Sequence, residues 1–526
     1  MTEAEIRELV GEIIIAGFEG TEVTHHAQRL IRRHQVKNII LFKRNVESAG
    51  QLAGLNAALQ SIAKDSGHVG PLIICTDQEN GIVRRVAPGL PGLPGNMAIG
   101  ATGNVRNAYE TGTLTAKQLL SVGVNMDLAP VLDVNNNPEN PVIGVRSYGE
   151  NPDLVADFGT AMIRGLQEWG VIACGKHFPG HGDTSVDSHL ALPEIAHDRK
   201  RLQEVELKPF LKAMEFGVDV VMTAHIVFSS IEQEKIPATL SKAVLTDFLR
   251  SELKYEGVIT TDCLEMNAIS ETVGVAEGAV QALLAGADWL MISHRLDRQE
   301  AAIEAIVKSV LDGRVPETRL AEAANRVRNL RRNRVADVHH SGVENGPSVP
   351  AKGLLDESNE LQRRLCAEAA TVVVNSRGLV PLDHGEVKVI DLFIDSGVTR
   401  MSASDNTSSS QFVVSALQET FPKASLRVHN IAEGVTPSLA RELANTSLIV
   451  AGISGRRNED YLQFVNEIGR NGQPVVALAL QSPYVLKDLS DVPTQVAIYE
   501  YTEWMVQAGI NALVGRGGTG QLPITL

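Results

Sequence analysis

Eight short apolar runs recur through residues 1–335, and longer stretches with helical periodicity separate them. Each run is continuously apolar, which is typical of parallel strands that are buried on both faces. The runs occupy residues 13–18, 38–42, 72–77, 124–130, 171–178, 220–225, 257–262 and 288–293. Eight β/α units of this kind predict an α/β fold, a TIM-like (β/α)8 barrel, and the alternative is a doubly wound open sheet.

Residues 336–353 interrupt this alternation with glycine, proline and serine, which is typical of an interdomain linker. A second alternating region follows, with the strand candidates TVVV, VKVIDLF, SLRVH, SLIVAG, PVVALAL and QVAIY. The sequence therefore predicts a barrel domain at residues 1–335, a linker, and a smaller α/β sandwich domain with a mostly parallel sheet at residues 354–526.

The charge balance argues against nucleic acid as a partner. The net charge is −15 at pH 7 and the pI is near 5.5, whereas a nucleic-acid-binding surface needs an excess of basic residues. No apolar stretch approaches the roughly 20 residues of a membrane helix, and the first residues lack the basic and apolar regions of a secretory signal. We therefore expect no nucleic-acid or membrane partner and a cytoplasmic protein, or one whose targeting segment lies outside this chain.

The cysteines Cys75, Cys174, Cys263 and Cys366 are spaced unlike metal ligands or a disulfide framework. Three of them follow or lie within apolar strand-like runs, where a free cysteine behaves as a small hydrophobic residue. This pattern fits a reducing compartment.

The stretch with the densest ionisable groups follows the fifth apolar run, at residues 176–193, and reads KHFPGHGDTSVDSHLALP. It contains three histidines and two aspartates. A solvated surface loop would explain such polarity, and a metal site or a proton-transfer site would explain it as well.

Other polar residues stand at the ends of the apolar runs, where a barrel of this kind carries its functional groups. These residues are Asp77, Asp127, Lys176, His177, His225, Asp262, Ser293 and His294, with Arg85, Arg146, His181, Asp187 and His189 in the loops. Each residue alone could be a satisfied core or capping group. Their placement at one end of the barrel predicts a shared site.

Three parts of this set have alternative roles that differ in chemistry. Asp262 could cap the helix that follows it, or it could attack a sugar anomeric carbon and form a covalent ester. Asp187 and His189 could support the loop, or the carboxylate could fix the imidazole tautomer, raise its pKa and create a proton donor. Lys176 and His177 could be an internal ion pair and a core histidine, or donors to sugar hydroxyls.

Several stretches of the chain resemble glycoside hydrolase family 3, namely TDQENGIVRRV, NMDLAPVLDV, RSYGENP and GVITTDCLEM. The loop KHFPGHGDTSVDSH resembles the signature of the β-N-acetylglucosaminidase branch of that family. The likeness covers most of residues 1–335 and extends into the second region through LQRRLCAEAATVVVN, LVPL and GQLPITL.

This resemblance implies a (β/α)8 catalytic barrel and a retaining exo-hydrolase that releases terminal non-reducing N-acetylglucosamine by double displacement. Asp262 would be the nucleophile, and His189, oriented by Asp187, would be the acid/base. The residues matching the positions that hold the terminal sugar are Asp77, Arg85, Arg146, Lys176 and His177. The resemblance implies neither a cofactor nor a metal, and the partner is a small carbohydrate.

Two positions depart from the family pattern. Asn80 stands where glycine is usual, and asparagine tolerates positive φ better than most residues, so we expect the turn to survive. Cys263 follows the nucleophile where related members often carry a second aspartate, which would alter the local field. Neither change removes a group that the mechanism needs.

Three other functions stay open at this point. One is a β-glucosidase of the same family, and another is a non-catalytic sugar-binding barrel. The third is a metal-dependent barrel hydrolase with the ligands His177, His181, His189, His225 and Asp262. Within the glycosidase interpretation, a histidine acid/base does not repel an anionic acceptor, so phosphate could compete with water. The natural aglycone is also left open.

Overall fold

The computed structural model describes residues 1–86, 88–185, 192–335, 350–394, 404, 409–431, 443–455 and 458–526. The strands of the first part are β1 (Ile14–Ala16), β2 (Asn38–Leu41), β3 (Ile73–Thr76), β4 (Gln78–Asn80), β5 (Val83–Arg84), β6 (Met126–Asp127), β7 (Ile172–Phe178), β8 (Glu194–Ile195), β9 (Val220–Thr223), β10 (Val227–Phe228), β11 (Val258–Thr261) and β12 (Leu290–Ile292).

Eight of these strands form one parallel sheet in the order β11-β9-β7-β6-β3-β2-β1-β12. A bridge between Thr260 and Trp289 joins the two ends of this order, so the sheet closes into a barrel. Each of the eight strands lies within one of the eight predicted runs, which confirms the barrel and makes the open-sheet alternative wrong. The fourth of them, β6, is shorter than its run of residues 124–130.

The helices of this part are α1 (Glu3–Ile13), α2 (His25–Gln28), α3 (Ala49–Asp65), α4 (Asn96–Ala101), α5 (Val105–Ser121), α6 (Pro152–Glu168), α7 (Arg199–Glu204), α8 (Lys208–Phe216), α9 (Asn267–Ser270), α10 (Val275–Ala285), α11 (Leu296–Leu311) and α12 (Glu317–Arg334). Helix α6 shows why they begin where they do. The Asn151 side chain accepts hydrogen bonds from the N–H groups of Asp153 and Leu154, and Pro152 takes the first helical position.

The interior of the barrel is filled by side chains from the strands. This cluster includes Ile40, Cys75, Met126, Cys174 and Met222, all of them buried. Cys75 and Cys174 are free thiols inside the barrel, in keeping with the prediction that the strand cysteines behave as small hydrophobic residues. Because side chains fill the interior, we expect the site at the carboxyl end of the barrel, where barrels of this kind carry their functional residues.

The second part begins with helix α13 (Lys352–Ala369) and contains β13 (Thr371–Asn375), β14 (Val389–Ile394), β15 (Ser425–Asn430), β16 (Leu448–Ile453), β17 (Val475–Ala479) and β18 (Thr494–Ala497). These strands form a six-stranded sheet in the order β13-β18-β17-β16-β14-β15. Only the β13–β18 pairing is antiparallel among them. Helices α14 (Ser410–Thr420) and α15 (Glu459–Arg470) lie between the strands along the chain, and α16 (Glu503–Ala512) follows the last strand. The predicted second α/β domain with a mostly parallel sheet is confirmed.

The exact domain boundaries stay a prediction, because most of the predicted linker, residues 336–349, lies outside the described residues. Barrel residues such as Ile82, Val83 and Met97 share one buried apolar cluster with residues of the second sheet. The two parts therefore pack directly against each other. Within the described residues, no helix is both long and apolar enough to cross a membrane.

Candidate active site

A cavity of about 550 Å³ opens at the carboxyl end of the barrel. Six of the eight residues to which the family resemblance gives a catalytic or sugar-binding role line it, namely Asp77, Arg85, Arg146, Lys176, His177 and Asp262. The other two, Asp187 and His189, belong to residues 186–191, outside the described part of the chain. The strand ends and the loops that follow them thus bring these six side chains to one cavity.

A buried cluster of charges forms one wall of this cavity. The Lys176 Nζ atom lies 2.7 Å from Asp77 Oδ1 and 2.7 Å from Glu79 Oε1. Arg146 binds the same Glu79 carboxylate through two donors, Nε at 2.8 Å and Nη2 at 2.7 Å. Bidentate geometry of this kind fixes both partners, so Glu79 connects Lys176 to Arg146.

The charges in this cluster stabilise one another. Burial by itself would raise the pKa of Glu79, but Arg146 and Lys176 outweigh it and hold the pKa well below its ordinary range. Burial would likewise lower the pKa of Lys176, but the carboxylates of Asp77 and Glu79 outweigh the effect of burial and raise this pKa. Glu79 and Lys176 are therefore both charged at neutral pH.

A second wall of the cavity places two arginine side chains against an aromatic ring. The Arg85 Nε atom lies 3.9 Å from Asp77 Oδ2, and the Arg85 guanidinium carbon lies 5.9 Å from the centre of the Phe42 ring. The Arg44 guanidinium carbon lies 4.4 Å from the same ring centre. Arg44 also pairs with Glu19, Nε to Oε1 at 3.0 Å, so this wall offers guanidinium donors to oxygen-rich groups without an excess of positive charge.

Asp133 fixes the start of the polar loop. Its Oδ2 atom lies 2.8 Å from His177 Nδ1, and its Oδ1 atom accepts the backbone N–H of His181 at 2.7 Å. Burial opposes ionisation of Asp133, but His177 outweighs it and lowers the pKa of this carboxyl. Asp133 therefore orients the His177 ring and holds the backbone of the loop at the same time.

His181 is buried in the same loop and is unsuited to donating a proton. Burial, assisted by the neighbouring His177, lowers the pKa of His181 to about 4, so its ring is neutral at pH 7. The Asn140 side chain donates to the backbone carbonyls of His181 and Gly182, both at 2.9 Å. The loop is thus fixed just before the segment that carries Asp187 and His189.

Asp262 follows β11 directly and is half-buried at the cavity. Its Oδ1 atom accepts the N–H of Cys263 at 2.6 Å. The next helix begins at Asn267 and has Met266 as its N-cap, so the capping alternative for Asp262 is wrong. His225 holds the adjacent peptide, because its Nε2 atom lies 3.0 Å from the Cys263 carbonyl oxygen.

The predicted metal-ligand set is not assembled in the described part of the chain. Two groups of described residues bring three possible ligand atoms within 4.8 Å of one another: Cys263, Glu265 and His294, and Asp183, His197 and Glu206. Neither group contains Asp262 or any of the predicted histidine ligands. His177 and His225 instead contact Asp133 and Thr239.

Two residues of the site were missed by reasoning from the sequence. Glu79 lies two positions after Asp77, and alternate residues of an extended segment point the same way, so the spacing was an available signal. Asp133 lies far from His177 and His181 in the sequence, and no local pattern connects them. Asn80 has a φ of 70°, which confirms that asparagine supports the turn where glycine is usual.

A family model described as the glycosyl hydrolase family 3 N terminal domain matches residues 1–330. A solved structure of a glycoside hydrolase family 3 beta-N-acetylglucosaminidase from Paenibacillus sp. str. FPU-7 is similar over 99% of this chain and 98% of its own. It is 38% identical in sequence, with a TM-score of 0.88.

Two curated relatives carry related names. Beta-hexosaminidase A of Pseudoalteromonas piscicida is 34% identical over 70% of this chain, which spans 64% of that protein. A beta-hexosaminidase of Pseudomonas aeruginosa (strain LESB58) is 35% identical over 55% of this chain and 84% of its own length. The similarity therefore includes proteins matched across both domains and proteins matched over little more than half of the chain.

Replacing Glu79 by glutamine should lower the free energy of unfolding by about 3 kcal/mol at pH 7, because it leaves Lys176 and Arg146 with too little negative charge. The pKa of Glu79 is depressed in the folded state, so its contribution is present above the unfolded value of about 4.3 and is lost as the pH falls. Urea unfolding at pH 7 and pH 3 measures the difference between Glu79→Gln and the wild type. The exposed Glu139→Gln serves as the control, and a difference that does not shrink at pH 3 would contradict the assignment.

Proposed function

Because the chain belongs to glycosyl hydrolase family 3, we propose that it is a retaining exo-β-N-acetylglucosaminidase, which releases terminal non-reducing N-acetylglucosamine. The observation that carries the proposal is the cavity that Asp262 shares with the cluster around Lys176. Its volume of about 550 Å³ lies within the range of small-molecule sites. The names of the relatives support an N-acetylhexosaminide as the substrate.

In the first step, the Asp262 carboxylate attacks the anomeric carbon of the terminal sugar. The bond from this carbon to the aglycone oxygen breaks, and its electron pair stays on that oxygen, which takes a proton from His189. The products are a glycosyl ester of Asp262 and the free aglycone. The hydrogen bond from Cys263 N–H keeps the carboxylate oriented for this attack.

In the second step, water loses a proton to His189 and attacks the same carbon. The bond from this carbon to Asp262 breaks, and its electron pair returns to the carboxylate. Two inversions give net retention at the anomeric carbon. Asp187 orients the His189 ring in both steps and stabilises its protonated form.

The terminal sugar is held by the charged groups of the cavity. The Asp77 carboxylate accepts hydrogen bonds from sugar hydroxyls, and Lys176, Arg146, Arg85 and His177 donate to sugar oxygens. Asp77 and Lys176 already contact each other at 2.7 Å. A site that is ordered before the substrate arrives loses less entropy on binding and positions the anomeric carbon more precisely.

The proton donor also bears on which acceptor can enter in the second step. A carboxylate acid/base would repel phosphate by about 4 kcal/mol per unit charge at 4 Å and an effective dielectric of about 20. Histidine removes this repulsion, and the guanidinium groups of Arg44 and Arg85 at the Phe42 ring provide hydrogen-bond donors for a phosphate. Inorganic phosphate is therefore a second acceptor and yields the sugar 1-phosphate beside the hydrolysis product.

The substrate assignment is tested with nitrophenyl β-glycosides. We expect kcat/KM for the N-acetylglucosaminide to exceed that for the glucoside at least tenfold, which corresponds to about 1.4 kcal/mol of transition-state stabilisation. A higher kcat/KM for the glucoside would favour a β-glucosidase instead.

The same assay tests the nucleophile. Asp262→Ala should lower kcat by several orders of magnitude with an unchanged circular dichroism spectrum, because the covalent step is lost. Asp297→Ala, which removes an exposed carboxylate, should leave kcat unchanged. Near-normal turnover in Asp262→Ala would refute this role.

The acid/base role of His189 is tested by varying the leaving group. His189→Ala should slow aryl glycosides with poor leaving groups far more than those with activated leaving groups, because only the former need protonation as the bond breaks. Asp187→Ala should show the same trend more mildly. An equal loss for every leaving group in pre-steady-state glycosylation rates would exclude general-acid catalysis by His189.

Phosphate as acceptor is tested by turnover in millimolar phosphate with an assay for N-acetylglucosamine 1-phosphate. We expect this product to accumulate in proportion to phosphate, and His189→Glu should suppress it because a carboxylate repels the anion. Chloride at matched ionic strength is the control. Free sugar as the sole product, at a rate independent of phosphate, would show that histidine serves hydrolysis alone.

A further inference from the structure

The β4–β5 hairpin carries two groups of the cavity. Glu79 lies in its first strand, and Arg85 follows its second strand, while the turn between the strands consists of Gly81 and Ile82. Any displacement of this hairpin would displace the carboxylate that connects Lys176 to Arg146. The contacts that hold the hairpin therefore bear on substrate binding.

The second domain holds the turn of this hairpin through Glu500, a carboxylate that the mechanism does not use. Glu500 Oε2 accepts the N–H of Gly95 at 2.7 Å, and the carbonyl of Leu93 accepts the N–H of Gly81 at 2.9 Å. A Cβ atom on Gly81 would lie 2.6 Å from Glu500 Oε2, and one on Gly95 would lie 3.0 Å from it. The carboxylate thus fits against two backbone segments that meet only because both residues are glycine.

Glu500 itself is fixed by its own domain. Its Oε1 atom accepts hydrogen bonds from Thr502 Oγ1 and Trp504 Nε1, both at 2.9 Å, and its side chain is buried. The Trp504 ring also lies 4.5 Å from the guanidinium carbon of Arg84 in the hairpin. A buried carboxyl with three donors is a rigid acceptor, and its loss would leave those donors unsatisfied.

Other contacts between the domains converge on the same turn. Ser404 of the second domain donates to the carbonyl of Ile82 at 3.4 Å and lines the cavity. Ile82 and Val83 belong to the buried apolar cluster that contains the second sheet. The turn is thus enclosed by the second domain.

We infer that Glu500 is a positioning residue for the cavity, and that the second domain acts on sugar binding by fixing the hairpin that carries Glu79. Glu500 binds Gly95, and Gly95 packs against Gly81 in the turn next to the strand that carries Glu79. Glu79 in turn binds Lys176 and Arg146. Glu500 touches no substrate. Its effect is on the geometry with which the charged cluster meets the terminal sugar.

This inference rests on the proposed function for its kinetic readout. In Glu500→Ala we expect KM for the nitrophenyl N-acetylglucosaminide to rise about tenfold with kcat changed less than about threefold, because ground-state and transition-state binding weaken together. Glu500→Gln keeps an acceptor for Gly95 N–H and should restore part of the loss. Glu503→Ala removes an exposed carboxylate three residues on and should match the wild type.

A second measurement does not depend on turnover. Amide hydrogen exchange of residues 78–95 should be faster in Glu500→Ala than in the wild type and in Glu503→Ala, with exchange in the barrel strands unchanged. Should the wild type not cleave N-acetylglucosaminides, the proposed function would fail and this exchange measurement would still test the hairpin. Unchanged exchange together with an unchanged KM would overturn the inference.

A milder variant covers the case in which Glu500→Ala does not fold. Trp504→Phe keeps the aromatic ring beside Arg84 and removes one donor to Glu500, so KM and hairpin exchange should shift in the same direction by a smaller amount. Wild-type KM and exchange in a folded Trp504→Phe protein, together with an insoluble Glu500→Ala, would assign Glu500 to folding alone.

Discussion

The ammonium group of Lys176, buried between two carboxylates, is the interaction on which the rest of the cavity depends. It connects the end of β7 to Asp77 after β3 and to Glu79 in the β4–β5 hairpin. A buried charge that loses its partner is costly, so each member of this cluster constrains the others. The carboxyl ends of separate strands are thereby held in one arrangement that suits a polyhydroxylated ligand.

Electrostatics also divides the histidines into groups with different roles. His181 is neutral at pH 7 because burial lowers its pKa to about 4, and His177 is fixed by Asp133. Neither arrangement suits a group that must gain and lose a proton in each turnover. The proton-transfer role that we propose for His189 and Asp187 does not compete with either of these two histidines.

The sequence was most informative where local pattern decides the structure. Continuous apolar runs predicted all eight barrel strands. Functional residues of such a barrel lie at the carboxyl ends of its strands, which predicted that Asp77, Lys176 and Asp262 would share one site, and all three line the cavity. Residues that act through distant partners were beyond such reasoning. Asp133 and Glu500 look like ordinary acidic residues, because their significance comes from backbone groups that only the folded chain brings near. The capping role considered for Asp262 is wrong because the next helix begins at Asn267, with Met266 as its N-cap.

The hydrogen bond between Gly95 and Glu500 spans 405 positions of the chain, and this separation affects when the pocket is completed during synthesis. Domains generally fold in order as the ribosome releases them. The barrel can therefore close its sheet well before the carboxylate that supports its hairpin has been translated. Nascent barrels should pass through a period in which the strands are paired but the β4–β5 hairpin at the cavity is not yet fixed, and the last part of the second domain ends that period.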